Sequence, residues 1–506
     1  MRSFSSAMAA VLLVACNSFA GSGSTQPTSQ PSSQDTTQAV APAAPASDLE
    51  TRMQAIEHKL EQLENRLNAV LPTTSAEDPA PIPPADLVER LDSLDEKLQL
   101  LEHNAKVQEG PTVTAGRDTF SISSPDKTYR FRIGGHLQTD AKFFADNTGD
   151  LLTNSFNLRR ARPIFEGSLG QYVDFRFMPD FGNSQTAIYD AYADVKISPY
   201  VVLRGGKFKT PLGLEQLEND ADLTFLERSL VTDLVQNRDE GLQFYGNVRQ
   251  RFTYQFALDN GAPIGASITV PTQGGKNMVE RIFFTPFAPS GNKLLKGLGL
   301  GIASSQGHQN PGATLPTFLS TGGQAVFFSY TGTAVVKSPF TDGSLINISP
   351  QAYYYAGPFG LMAEYVTSTQ DIAGTTVDKK TIVRAIDSRA WQVAASWMIT
   401  GEPSSYRAIV PCKCLESGHQ VRGWGAWQIA ARYSQLTVGP DAFTAGLADI
   451  TKSARASYDW AVGLNWYINF FTKLQTNYEQ STFTRGAVKG NRPTEHAIME
   501  RLQVAF

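Results

Sequence analysis

The residues with reactive side chains fall in no catalytic arrangement. The six histidines stand at positions 58, 103, 136, 308, 419 and 496 without the HExxH spacing that puts two metal ligands on one helix face. No GxSxG nucleophile turn and no GxxxxGKS/T phosphate loop occurs. Gly297, Gly299 and Gly301 fall on alternate residues, the pattern of small side chains on one face of a strand. Cys412-Lys413-Cys414 with His419 is one ligand short of a tetrahedral structural zinc set and reads as a loop feature, with a disulfide as its other form. We therefore expect no enzyme and no cofactor. What stands out is cationic: Arg159-Arg160-Ala161-Arg162 and Lys207-Phe208-Lys209, forks and point charges that bind oxyanions without making or breaking a bond.

The elements that must carry these charges alternate with period two from about residue 117 onward. Phe252, Tyr254, Phe256 and Leu258 alternate with Arg251, Thr253, Gln255 and Ala257, and Trp460, Val462, Leu464 and Trp466 alternate with Gly463 and Asn465. A soluble sandwich alternates as well. Runs of about 9 or 10 residues, the length of a tilted membrane-crossing strand, argue instead for a transmembrane barrel, as do aromatics near strand ends and the closing Leu502-x-Val504-x-Phe506. A sheet in lipid must close so that no edge hydrogen bond goes unmade. At roughly 24 residues per strand and connection, residues 117–506 make an all-β transmembrane barrel of about 16 antiparallel strands, with 14 to 18 permitted and a water-filled lumen. A cation facing lipid costs roughly 2–4 kcal/mol at the midplane. Arg130, Arg132, Asp190, Asp194 and Lys196 should therefore point inward. Parity puts Arg160 and Arg162 together and Arg159 opposite them, so Arg159 belongs at an interface, a bulge or a subunit contact; Pro163 makes a local bulge plausible. The longest stretch without alternation, between Lys209 and Gly241, is expected to fold into the pore, since long loops with their own apolar residues are generally functional.

The N-terminal part is built differently. Arg2, the apolar run from Ala7 to Ala15 and Ser18-Phe19-Ala20 read as a secretory leader over 1–20, with Leu13-Val14-Ala15-Cys16 as a lipoprotein-type alternative. Residues 21–47 are a Ser-, Thr-, Gln-, Pro- and Ala-rich linker. Leu49, Met53, Ile56, Leu60, Leu63, Leu67 and Val70, then Leu87, Leu91, Leu94, Leu98 and Leu101, repeat at 4 and 3. That is the seam of an α-helical coiled coil over 48–106, interrupted by prolines into 48–71 and 85–103. The chain of 506 residues is 41% hydrophobic and 18% charged, with 29 Phe, 17 Tyr and 6 Trp. No later run approaches the 18 or so apolar residues of a membrane helix, and so many aromatics disfavour general disorder. Residues 1–116 hold 7 Lys and Arg against 15 Asp and Glu, while 117–506 hold 37 against 33. An excess that small speaks against a nucleic-acid partner.

Phe156-Asn157-Leu158-Arg159-Arg160-Ala161-Arg162, Asp190-Ala191-Tyr192, Gly206 to Glu215 (GKFKTPLGLE), Glu227-Arg228-Ser229-Leu230, Arg238-Asp239-Glu240-Gly241, Gly423-Trp424-Gly425-Ala426-Trp427 and the terminal Phe506 together resemble the phosphate- and polyphosphate-selective porins. The resemblance covers residues 117–506. It implies an outer-membrane homotrimer of sixteen-stranded barrels surrounded by outer-membrane lipid, each passing inorganic phosphate or other small anions, with the coiled coil in the periplasm. It also implies a constriction at Arg159, Arg160, Asp190, Lys207, Lys209 and Arg228. One departure stands beside it: residues 301–330 contain no Lys or Arg. A general small-solute porin and an envelope-anchoring barrel with a periplasmic coil are the alternative readings.

Overall fold

The computed structural model describes residues 110–116, 120–145, 153–265, 267, 275–313, 315–319, 322–415 and 423–506, with Ser93 and Lys97. The expected leader, linker and coiled coil lie outside the described residues, those two apart. A short hairpin comes first, β1 (Thr112–Ala115) on β2 (Phe120–Ser123). It continues the edge of β3 (Tyr129–Phe144), Phe120 facing Ile133. From β3 each strand pairs antiparallel with the next through β4 (Ser155–Leu169), β5 (Val173–Asp180), β6 (Ala187–Ser198), β7 (Val201–Lys209), β8 (Arg238–Val248), β9 (Phe252–Asp259), β10 (Asn277–Phe284) and β11 (Leu298–Ala313). A separate hairpin of β12 (Thr317–Leu319) and β13 (Val326–Ser329) intervenes. The series then resumes with β14 (Val336–Ala356), β15 (Phe359–Thr376), β16 (Thr381–Met398), β17 (Ala426–Thr437), β18 (Ala454–Tyr467), β19 (Thr472–Arg485) and β20 (Glu495–Ala505). β20 pairs back onto β3, Ala505 opposite His136 and Ala497 opposite Phe144. The result is a closed barrel of sixteen strands, β3–β11 and β14–β20.

Period two decides which side chains meet lipid. On β18, Trp460, Val462 and Leu464 are exposed while Ala461 and Asn465 are buried. Trp427 and Trp466 stack at 5.1 Å near the end that carries the C-terminus, and the Trp466 indole N–H donates to the Trp424 carbonyl at 2.6 Å, the amphipathic placement expected of an interfacial aromatic. The strands run longer than the 9 or 10 residues expected, up to 21 in β14. The surplus lies at the end away from the termini, where the outward positions turn polar with Thr367, Thr369, Asp387 and Arg389. Such positions need no lipid.

The lumen departs from a uniformly wet tube. The loop between β7 and β8, residues 210–237, folds inward and carries the helical turn α1 (Leu214–Leu217) and a 3-10 turn, Leu230–Leu234. Leu230, Val231, Leu234 and Val235 are fully buried against Ala303, Leu345, Val366, Ile372, Ile386 and Leu436 of the inner wall. Phe318, Phe327 and Phe328 of the β12–β13 hairpin join the same core. The turn α2 (Asp441–Thr444) contributes Ala442. Four aliphatic side chains at about 1.5–3 kcal/mol each give a gross anchorage of about 6–12 kcal/mol for the inner loop. This core explains the absence of Lys and Arg from 301–330. That stretch lies on β11 and the adjoining hairpin, where it packs instead of lining water. The expected water-filled lumen is narrowed accordingly: the core occupies the side of β11 and β14–β17, and the open path lies along β3–β8 and, toward the termini, along the closing seam of β19, β20 and β3.

Candidate functional site

The inner loop is held by its own polar groups. The Leu214 and Glu215 backbone N–H groups donate to the Glu364 carboxylate at 2.7 and 3.1 Å, and Gln351 donates to the Leu212 carbonyl. The Glu215 carboxylate accepts from the Ser229 N–H at 2.9 Å, the Ser229 hydroxyl at 2.6 Å and Gln392 at 2.9 Å. Loop and wall are thus tied on both sides of the segment that crosses the lumen.

That segment separates two chambers. One, of about 600 Å³, opens toward the termini; the other, of about 150 Å³, lies on the far side, and Arg162, Asp220 and Arg238 belong to both linings. Asp220 is the hub. Its carboxylate pairs with Arg162, with Arg228 at 2.6 Å, and with Arg160 and Arg238 at 4.0 Å each. The Arg162 and Arg238 guanidiniums both lie over the Tyr189 ring, 4.0 and 4.6 Å from its centroid, contacts that help to orient both forks. Burial alone would raise the Asp220 carboxyl, yet Arg228, Arg162 and Lys209 hold it well below the usual carboxylate range. Glu227 is depressed likewise by Arg159, Arg160 and Arg501 against the effect of burial.

Charge is concentrated here beyond what the whole-chain total suggests. The larger chamber is lined by seven Lys and Arg against four Asp and Glu, the smaller by five against three. Many arginines are already paired: Arg176 with Glu166 and Asp190, Arg238 with Asp190 at 2.8 Å, and Arg204 with Asp194 at 2.8 Å. Paired guanidiniums stay ordered and in register, and the residual excess gives a cationic field focused by low-dielectric walls.

Of the six residues expected at the constriction, five reach the chambers. Arg159, Arg160 and Arg228 line the smaller one; Asp190 and Lys209 line the larger. Arg159 is the extra residue of a bulge, since Gln138 pairs with Arg160 and Thr139 with Leu158. The bulge sits at Arg159 itself, four residues before Pro163, and turns the side chain inward to Glu227 at 2.7 Å. Lys209 donates to the Glu218 carbonyl at 2.6 Å. Lys207 lines neither chamber and stands opposite Glu240 across β7–β8. The expected constriction set includes none of Arg162, Arg176, Arg204, Arg238, Asp220 and Glu227, although Arg162 stands in the cationic run and Glu227 and Arg238 in the motifs; Arg176, Arg204 and Asp220 stand in neither. Inward parity marks the strand residues among them, whereas Asp220 and Glu227 have no periodic signal to betray them.

A second segment was also missed. The β16–β17 connection enters from the termini end: the Ser404 N–H donates to the Gly357 carbonyl, and the Tyr406 hydroxyl donates to the Leu214 carbonyl of the inner loop at 2.6 Å. Tyr406 stacks on Tyr353 at 5.4 Å, and Tyr353 meets Phe283 at 5.1 Å. Gly299 leaves the space those two rings occupy and Gly301 adjoins Phe283, so these two alternate glycines share one face of β11, while Gly297 lies just before the strand. In the same connection Cys412 is exposed and Cys414 buried; His419 lies outside the described residues.

A closed sixteen-stranded barrel, greasy outside and narrowed by an infolded loop that meets a wall of arginines, is the architecture of an outer-membrane porin. The family model described as phosphate-selective porin O and P matches residues 131–506, and the chain belongs to that family. It is 22% identical over 448 residues to Porin O of Pseudomonas aeruginosa, covering 80% of this chain and 96% of that protein. Among solved structures it is similar to the outer membrane channel DcaP of Acinetobacter baumannii (9% identity, 75% of this chain and 97% of that one, TM-score 0.47). It is also similar to an anion-selective porin from Comamonas acidovorans (12% identity, 75% and 100%, TM-score 0.44).

Proposed function

We propose that the protein is a passive anion channel of the outer membrane, with phosphate among the ions that cross it. The observation that carries this reading is the pair of chambers with cationic linings joined at Arg162, Asp220 and Arg238. An oxyanion sheds water at the narrowing, and guanidinium forks replace those hydrogen bonds bidentately. Asp220 keeps the stay short. It already occupies four arginines, so an arriving anion competes for them and is held weakly enough to leave, as conduction requires.

The chain acts as a homotrimer in this reading, its termini end toward the periplasm. Residues 1–20 serve as leader, 21–47 as linker, and 48–106 as a coiled coil whose helices the three barrels hold at high effective concentration. Reconstitution in planar bilayers tests the function. The expected result is an anion/cation permeability ratio above one and block of chloride current by millimolar phosphate, both weakened by Arg160→Ala. Cation preference in the wild-type channel would overturn the proposal.

A further inference from the structure

The larger chamber is oversized for a bare inorganic ion. Its volume of about 600 Å³ falls in the range of small-molecule sites, roughly 300–1,000 Å³, which combine apolar walls with a few converging polar groups. Its lining has that division. Arg132, Arg176 and Arg204 come from β3, β5 and β7, while Leu217 of the inner loop, Ile409 of the β16–β17 connection and Phe471 before β19 are apolar and incompletely buried. Apolar surface left facing water gains nothing for a channel that passes only hydrated inorganic ions.

The seam where the barrel closes brings the two characters together. The pairing of β19, β20 and β3 sets Lys473 level with Gln503, and Gln503 level with Gln138. One pleat nearer the termini, the Ala505 N–H donates to the Phe471 carbonyl, and Ala505 is opposite His136. The first row is sealed against the inner loop: Lys473 donates to the Ala221 and Leu223 carbonyls at 3.0 Å each, and Gln503 to the Ala221 carbonyl at 2.9 Å. An ammonium has three donors, so one N–H of Lys473 remains for a ligand. The second row puts the Phe471 and His136 positions on either side of Ala505. His136 lines the chamber with 5% of its surface exposed, and its Nε2 has no hydrogen-bond partner among the described residues.

We propose that this chamber is a resting site for organic monocarboxylates with an aromatic or alkyl body. The carboxylate accepts from the Lys473 N–H and from the His136 Nε2–H of the tautomer protonated there, and the body lies against Phe471, Ile409 and Leu217. The inference rests on the porin reading and narrows its solute class.

The test compares benzoate with acetate, equal in charge and differing in the apolar body, as blockers of chloride current through the full-length protein in planar bilayers. Benzoate is expected to reach half-block at a concentration at least about tenfold below acetate, with Phe471→Ala bringing the ratio toward one. His136→Ala is expected to weaken both acids alike and leave their ratio standing. Equal potency of the two acids in the wild-type channel, or a ratio indifferent to Phe471→Ala, overturns the proposal while leaving anion conduction in place. Absence of chloride conductance from the wild-type protein instead overturns the porin reading beneath it. Each recording carries its own check on folding, because current is seen only from an inserted barrel.

Discussion

Asp220→Asn removes the one carboxylate that four arginines share at the boundary of the two chambers and keeps the side chain's size. A monovalent phosphate resting across a guanidinium from Asp220 lies ~6 Å from the lost charge. The repulsion relieved there is about 0.7 kcal/mol if the site screens like bulk water and about 2.8 kcal/mol at an effective dielectric of about 20. At about 1.4 kcal/mol per factor of ten, phosphate should bind about 3-fold to about 100-fold more tightly in the variant. The assay is the phosphate concentration that halves single-channel chloride current, with residence time read from the duration of blocking events. Tighter block should come with longer events and lower phosphate flux, since an ion held more firmly leaves more slowly. A half-blocking concentration equal to or higher than wild type would refute the view that Asp220 competes with the permeating anion.

Further expectations follow from the same geometry. Arg501 on β20 meets Asp140 on β3 through two hydrogen bonds of 2.7 Å and reaches Glu227 at 3.0 Å, all buried. Arg501→Ala leaves the buried Asp140 carboxylate without its partner, while Glu227 keeps Arg159, and should cost about 3–5 kcal/mol, read as a lower denaturant midpoint in detergent. A Cβ on Gly135 would stand 2.6 Å from the Phe506 ring, so Gly135→Val should displace the terminal aromatic and reduce the yield of assembled barrel in outer-membrane fractions, with Gly135→Ala intermediate. Burial raises the Asp222 carboxyl above its ordinary value, opposed by Lys473. A raised carboxyl favours its neutral form in the fold, so its contribution to stability is present at low pH and lost as pH rises through the folded value. On acidification Asp222 therefore protonates ahead of an exposed aspartate, whereas Asp220 and Glu227 keep their charge. The anion/cation permeability ratio should climb as pH falls, before exposed aspartates protonate, and Asp222→Asn should flatten that climb. Deleting residues 48–106 should leave single-channel conductance intact, because the path runs wholly inside the barrel; a changed conductance would tie the deleted segment to the pore.

The barrel was legible because lipid enforces parity on every strand: Trp460, Val462 and Leu464 could face only outward once Ala461, Gly463 and Asn465 faced in. The inner loop announced itself as a break in that parity between Lys209 and Gly241. Its partners did not. Which half of the lumen it fills depends on Leu230, Val231 and Leu234 meeting Val366, Ile372 and Leu436, pairings between distant segments that no local pattern encodes. The same holds for Asp220, an acid in an aperiodic stretch whose four arginines come from β4, β8 and the loop itself. The bulge at Arg159 was one of three readings open to parity, and Pro163 pointed to the right strand but not to the residue. The β16–β17 connection passed unnoticed because its inward anchor, Tyr406, is a single side chain without a repeat.

The greasy underside of the inner loop has a consequence for how current behaves over time. A loop tethered only by charges could swing with voltage or salt and make the trace flicker. This one can withdraw only by surrendering the same contacts that help keep the barrel's interior folded. Steady, low-noise openings are therefore expected up to the melting of the protein itself, with the bore and the fold failing at one temperature.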